Sequence, residues 1–380
     1  MVRKMTIFVN ENLNSFCSKS IFPTWRGLLW VCLGLCMASC VMTPPVFEEV
    51  AWQQAVADQS AQMLYAPHVK DGVYFNPWMP MQSDRFAAFL KWRFSKKADY
   101  TDEEESYLPA AQPDLLKRLG RHEGENSISW IGHATFLIKT AGVTWLTDPM
   151  LSTRALLPKR LTPPALTLDE LQKLGQPLYV LISHNHYDHL DKASLKALPD
   201  HARIFVPPGL KNIVQSVARG QVQEVDWWDH VDLGSNIKVV SLPTQHWSRR
   251  VGQDVNTSLW SSYLLQTPAG TIYFGGDSGY FVGYREFGRR FPDIDYALIP
   301  LTAYHPRWFM HYAHMNASET IQAFQDLGAR YYIPTQWGTF RLGDNPPGYP
   351  VLDLKRKIRQ QKLDPAPFRI LDIGQIEVMN

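Results

Sequence analysis

From about Asn126 onward the chain is a series of short apolar runs separated by turn residues, a rhythm that predicts alternating strands and helices. Ser127–Ile138 and Val143–Leu146 read as two strands around the Ala141-Gly142 turn. Leu168–Leu174 reads as a helix and Leu178–Ser183 (LYVLIS) as a buried strand. The pattern continues with a helix at Ala193–Leu198, a strand at Arg203–Val206 and a helix at Lys211–Ala218. Ile237–Leu242, Ser261–Gln266, Thr271–Phe274 and Tyr296–Pro300 are predicted strands. A helix from Ser318 to Leu327, with Glu319 in its first turn, precedes a late strand at Tyr331–Ile333 and a final helix over 351–361. Two halves, each of strands followed by helices, predict an α/β protein with packed sheets.

The region before Asn126 has another character. Residues 41–70 are polar with helical spacing and read as a linker or short helix above a membrane. In residues 71–98, rings (Tyr74, Phe75, Trp78, Phe86, Phe89, Trp92, Phe94) alternate with Arg85, Lys91, Arg93, Lys96 and Lys97. Phe86, Phe89, Leu90 and Phe94 recur at helical spacing behind Ser83, a residue suited to cap the helix. Two readings stay open here: a basic aromatic helix lying on an anionic bilayer, or an extension packing its rings on the main domain. Residues 99–124 are charged and Pro-punctuated, as in a connector.

Composition narrows the class. With 45% hydrophobic and 19% charged residues, the 380-residue chain can build a sizeable core and is neither disordered nor a multi-span membrane protein. A net charge of +2 gives it no nucleic-acid partner through polybasic contacts. All four cysteines (Cys17, Cys32, Cys36, Cys40) fall at the start, so the body has no disulfide, cysteine nucleophile or thiolate ligand.

The leader combines Arg3, Lys4, Lys19 and Arg26 with a short apolar run, Gly27–Ala38. That run is too short to span a bilayer, which takes about 20 residues, and looks like a secretory signal. Met37-Ala38-Ser39-Cys40 resembles the lipobox of bacterial lipoproteins, with Met in place of the usual Leu. The resemblance implies a signal peptide over 1–39, acylation of Cys40 and a lipid-anchored place in the bacterial cell envelope. Val41 leaves the chain without an acidic inner-membrane retention residue, which favours the outer membrane. The expected organisation is then 1–39 signal peptide, 40–124 linker and aromatic/basic extension, and 125–380 catalytic domain.

The chemistry concentrates in Ser183-His184-Asn185-His186-Tyr187-Asp188-His189-Leu190-Asp191, directly after the buried LYVLIS strand. His184 and His186 share one side of an extended chain, while Asp188 and His189 can turn toward a neighbouring point. Imidazole and carboxylate donors suit zinc and similar divalent ions. Asp277 follows the apolar run TIYF beside Gly275, Gly276 and Gly279, where backbone can approach a ligand closely. His246 has a similar strand-end position.

HxHxDH after a strand resembles the signature of the metallo-β-lactamase fold. The pieces FNPW (75–78), WIGHAT (130–135), TDP (147–149), SHNHYDHLD (183–191), QHW (245–247), GGDSGY (275–280), AYHPRWFM (303–310) and QWGTF (336–340) resemble the N-acylphosphatidylethanolamine-hydrolysing phospholipase D group in particular. The resemblance implies a four-layer αβ/βα sandwich with two zinc ions. His184, His186 and His246 would bind one, and Asp188, His189 and Asp277 the other, with Asp277 bridging. Asp148 would orient a ligating imidazole, and His314 matches a histidine near the active site, where either it or bound water would protonate the leaving group. The group has a histidine where this chain has Gln336, a weaker donor that makes the second site looser. His305, His311 and His314 are alternative donors nearby.

The implied reaction is hydrolysis of a phosphodiester in a phospholipid-like substrate. Water activated by the metals would attack phosphorus, giving phosphatidic acid and the head-group alcohol. A homodimer is a further expectation. His246 and Asp277 are too close in sequence for the insertion carried by nucleic-acid-processing members. A lactonase-type hydrolase and a weakly active metal- or lipid-binding lipoprotein remain alternatives.

Overall fold

The structure, a computed structural model, describes residues 43–81 and 85–379. The leader, Cys40 and the Ser83 cap therefore lie outside the described residues. Two sheets form the frame. The first takes β1 (Ser127–Gly132), β2 (Thr135–Thr140), β3 (Val143–Thr147), β4 (Leu178–Leu181), β5 (Arg203–Val206) and β6 (Gln221–Glu224). The second takes β7 (His230–Asp232), β8 (Lys238–Leu242), β9 (Ser262–Thr267), β10 (Gly270–Phe274), β11 (Tyr296–Pro300) and β12 (Tyr331–Thr335). A last strand, β13 (Ile376–Val378), returns to the edge of the first sheet beside β1.

The spatial orders are β13-β1-β2-β3-β4-β5-β6 and β12-β11-β10-β9-β8-β7. Each sheet is antiparallel through its hairpins and parallel beyond them: β3, β4, β5 and β6 run parallel, as do β10, β11 and β12. Strand alternation assigns the two faces of the first sheet. Trp130, Phe136, Trp145, Tyr179, Leu181 and Phe205 enter the core shared with the second sheet. Ile131, Leu137, Leu146, Val180, Ile182 and Ile204 face outward into a separate core under the helices. Helices cover the outer faces of both sheets, giving the αβ/βα sandwich. Such short strands do not persist alone, and burial at about 1.5–3 kcal/mol per large apolar side chain holds them in place.

Several expectations need correction. Ser127–Ile138 is a hairpin of two strands, because Gly132 (φ 129°) and His133 (φ 53°) reverse the chain where the apolar run looked continuous. β6, β7 and β13 escaped notice because they are short edge strands with exposed or half-exposed residues. Of the linker or short helix expected before residue 71, the described residues 43–70 show a short helix. α1 (Glu49–Ala57) buries Trp52 and Val56, and Trp52 Nε1 donates to Glu319 at 2.8 Å.

α2 (Arg85–Phe94) leaves its apolar stripe uncovered: Phe86 is 70% and Phe94 58% exposed. Trp92 ties α2 down, stacking on Phe309 and donating to Asp344 Oδ1 at 2.8 Å. No helix among the described residues is long and apolar enough to cross a membrane. Further along, α3 (Lys192–Lys196) is capped by Asp191. α4 (Ala317–Leu327) starts at an Asn316–Glu319 capping box and stops at Gly328, whose φ of 62° few other residues adopt.

Candidate metal centre

The candidate donors come from loops at the carboxyl ends of strands: β1, β3 and β4 in the first sheet, β8, β10 and β12 in the second. Crevices at such strand ends are where open α/β sheets bind ligands. Two groups form there. In the first, His184 Nε2 lies 2.8 Å from His186 Nδ1, which is 3.1 Å from His246 Nε2. Asp277 Oδ2 closes this group, 3.4 Å from His246 Nε2 and 3.7 Å from His184 Nε2. In the second, Asp188 Oδ2 lies 2.9 Å from His133 Nε2 and 3.4 Å from His189 Nε2, and Asp277 Oδ1 of the first group stands 3.3 Å from that same His189 nitrogen. The two oxygens of Asp277 thus serve different groups.

The loops are held rigidly. Asp148 Oδ1 accepts from Ser183 N at 2.6 Å, and its Oδ2 accepts from Ser183 Oγ at 2.5 Å and His189 Nδ1 at 2.6 Å. Ser183 Oγ in turn lies 2.9 Å from His184 Nδ1. One buried carboxylate thereby fixes two imidazoles and leaves both Nε2 atoms facing the centre. Gly276 needs its missing side chain: its φ is 58°, and a Cβ there would lie 2.7 Å from Ser183 Cβ. On the other loop, Asn76 Nδ2 donates to the His246 carbonyl at 3.0 Å and to Tyr312 Oη at 2.7 Å. That contact explains why the distant FNPW piece accompanies the metal motif.

The electrostatics match a metal site. Burial keeps His184 well below the ordinary imidazole range, helped by neighbouring rings, and brings His186 down to about 4. These rings are therefore neutral, as ligation requires. Burial opposes a charged His189, but the carboxylates of Asp277, Asp188 and Asp148 outweigh it and raise that ring. Burial likewise opposes ionised Asp188 and Asp277, and the surrounding imidazoles still hold both below the usual carboxylate range. His189 Nε2 is buried with no hydrogen bond, 3.3 Å from Asp277 Oδ1 and 3.4 Å from Asp188 Oδ2. A buried nitrogen facing carboxylates without a hydrogen bond is what a site built for a cation leaves behind.

The structure brings His184, His186, Asp188, His189, His246, Asp277 and Asp148 together. His314 joins them at the wall, its ring 5.7 Å from that of His246. Gln336 reaches the centre but presents its amide nitrogen, donating to Asp277 Oδ1 at 2.6 Å and to the Gly276 carbonyl at 2.9 Å. His305 pairs with Tyr100 Oη at 2.8 Å, and His311 packs between Phe47 and Trp52; neither joins the donor groups. One residue was overlooked: His133 Nε2 lies 2.9 Å from Asp188 Oδ2. Its signal was an isolated histidine inside WIGHAT, where an apolar run hides a turn.

The centre opens into a cleft of about 740 Å³ lined by Phe86, Phe89, Leu157, Trp247, Val255 and Leu342, with Asp188, Asp277 and His314 at its depth. Leu157 is 77% exposed at the rim, so the apolar lining continues to the surface.

A family model described as the beta-lactamase superfamily domain matches residues 144–337. The chain is 32% identical over 267 residues to N-acyl-phosphatidylethanolamine-hydrolyzing phospholipase D 1 of Caenorhabditis elegans, covering 65% of this chain and 74% of that one. It is 27% identical over 217 residues to a metal-dependent hydrolase of Pyrobaculum aerophilum, covering 57% of this chain and 85% of the relative. Among solved structures, a metallo hydrolase from Ignicoccus hospitalis superposes with a TM-score of 0.52 at 18% identity, over 67% of this chain and 98% of that one. At that identity the superposition speaks for the fold alone.

Proposed function

Because this chain belongs to the metallo-β-lactamase superfamily and is a metal-dependent hydrolase related to N-acyl-phosphatidylethanolamine-hydrolyzing phospholipases D, we propose that it hydrolyses a phosphodiester of an N-acylphosphatidylethanolamine-like lipid, releasing the head-group alcohol and phosphatidic acid. The observation that carries the reading is the approach of two donor groups, through Asp277 and His189 3.3 Å apart, at the depth of a cleft whose lining is largely apolar. A lipid places its diester at such a depth and its chains along the wall.

Zinc ions held by these donors would supply Lewis acidity at the phosphoryl oxygens and lower the pKa of an attacking water. The chain itself does the rest. Asp148 keeps His184 and His189 aimed. Leu157, Phe86 and Phe89 exclude water from the acyl portion. His314 lines the same cleft beside His246 and is placed to give a proton to the departing alkoxide. Acylation of Cys40 would anchor the chain in the cell envelope, and the exposed stripe of α2 would rest on the bilayer from which the lipid is drawn.

The test is an assay of the zinc-reconstituted chain on vesicles of N-acylphosphatidylethanolamine in isotopically labelled water. N-acylethanolamine and phosphatidic acid carrying the label on phosphate are the expected products. Turnover of lactones with none of the diester would replace this reading with carbon–oxygen hydrolysis. Lipid binding without turnover of either would make the chain a lipid-binding protein.

A further inference from the structure

The second donor group has no ligand from residue 336 as the side chain stands. An amide nitrogen has no lone pair to give a cation, and Gln336 turns that nitrogen to Asp277 Oδ1 and the Gly276 carbonyl. The Gly276 carbonyl favours this orientation, since flipping the amide would set Oε1 against that carbonyl oxygen, two acceptors in contact. A buried imidazole stands where a fourth donor is needed. We propose that His133 Nε2 completes the second metal site with Asp188 Oδ2, His189 Nε2 and Asp277 Oδ1, while Gln336 acts as a clamp on Asp277. The proposal rests on the metal-binding part of the functional reading and is independent of the substrate.

Spacing supports it. Four donors about 2.0–2.1 Å from a tetrahedral zinc ion lie about 3.3 Å apart. The spacings here are 3.3 Å (His189 Nε2 to Asp277 Oδ1), 3.4 Å (His189 Nε2 to Asp188 Oδ2) and 2.9 Å (His133 Nε2 to Asp188 Oδ2). His133, Asp188 and His189 donor atoms all lie within 4.8 Å of one another.

The placement of His133 is also over-determined. It sits in the left-handed region at φ 53°, where a non-glycine residue is strained. Three contacts keep it there: its N–H donates to Thr339 Oγ1 at 3.0 Å, and its carbonyl accepts from Trp130 Nε1 at 2.8 Å and Gln336 N at 3.0 Å. Phe340 meets the ring edge-on, with centroids 5.2 Å apart. The loops bearing His133 and Gln336 thus meet through backbone, with the imidazole directed at Asp188. Nδ1 of His133 has no hydrogen-bond partner, unlike Nδ1 of His189 on Asp148. Without a carboxylate to raise its basicity, His133 is a weaker donor, and the second ion is the more easily removed.

The test is zinc stoichiometry by elemental analysis, with affinities from competition against a chromophoric chelator, on the full purified chain. Wild type is expected to hold two ions. His133→Ala should hold one tightly and lose affinity for the second by more than the ~10–100-fold typical of supporting residues. His133→Asn, which keeps a polar group beside Asp188, should behave alike, with circular dichroism and thermal unfolding confirming the fold. Gln336→Ala should keep two ions. With cobalt in place of zinc, the second equivalent should change the visible spectrum of wild type and of Gln336→Ala but not of the folded His133 variant. Two ions of unchanged affinity in either folded His133 variant, or loss of an ion in Gln336→Ala, would overturn the assignment. Fewer than two ions in wild type at saturating zinc would instead remove the two-metal reading.

Discussion

Asp148 and His189 lie 2.6 Å apart with no exposure to solvent, and the same carboxylate oxygen also accepts from Ser183 Oγ. Asp148 holds a φ of 30°, a conformation costing roughly 1–3 kcal/mol that persists only because the surroundings enforce it. Asp148→Asn exchanges a charged acceptor for an amide and loosens the aim of His184 and His189 together. Metal affinity should fall about 10–100-fold, read by chelator competition, while far-ultraviolet circular dichroism stays that of wild type.

His184→Ala and His186→Ala each remove one of the neutral imidazoles of the first group. Both variants should lose an ion and essentially all turnover. Normal activity in either would end the metallohydrolase reading. In wild type, graded chelation should strip the second ion before the first, because three imidazoles hold the first.

Asn76 joins the N-terminal segment to the His246 loop and accepts from Trp260 Nε1 at 3.0 Å. Asn76→Ala leaves that indole the Thr244 carbonyl at 2.9 Å but deprives Tyr312 and the His246 carbonyl of a partner. The expected loss is about 1–3 kcal/mol, measured by denaturant unfolding, with a weaker first metal site.

The basic residues of segment 85–97 are not equivalent. Lys97 pairs with Asp344 at 3.0 Å and lies over the Trp92 ring, so it anchors α2. Arg93 and Lys96 are exposed and Lys91 half-buried. Neutralising Lys91, Arg93 and Lys96 together should reduce turnover on anionic vesicles several-fold and spare a small soluble diester. Equal loss on both substrates would assign the segment to folding instead.

Cys40→Ser tests the anchor. Wild type expressed in a bacterium with lipoprotein processing should enter the detergent phase and carry acyl chains on Cys40, and the variant should do neither. An unmodified Cys40 in the mature protein, found by mass spectrometry, would remove the lipoprotein proposal and leave the metal centre untouched.

The α/β class, most of the strands and the residues of the first donor group were readable from residue order alone. Arg203–Val206 and Tyr296–Pro300 match their strands residue for residue because each is a buried apolar run bounded by turn residues. His184, His186, Asp188 and His189 were legible because they crowd into one loop directly after a buried strand. Side-chain direction and contacts between distant segments emerged with the folded chain. His133 is separated from Asp188 by 55 positions and reaches it through a turn hidden in an apolar run. Gln336 looked like a weak ligand, yet two acceptors orient its amide as a donor. The stripe on α2 left two readings open in the sequence, a face for a bilayer or one packed on the main domain, and most of it lies exposed beside the cleft. Periodicity reports which residues share a face, because backbone geometry repeats locally; what that face meets is set by packing between segments far apart in the chain.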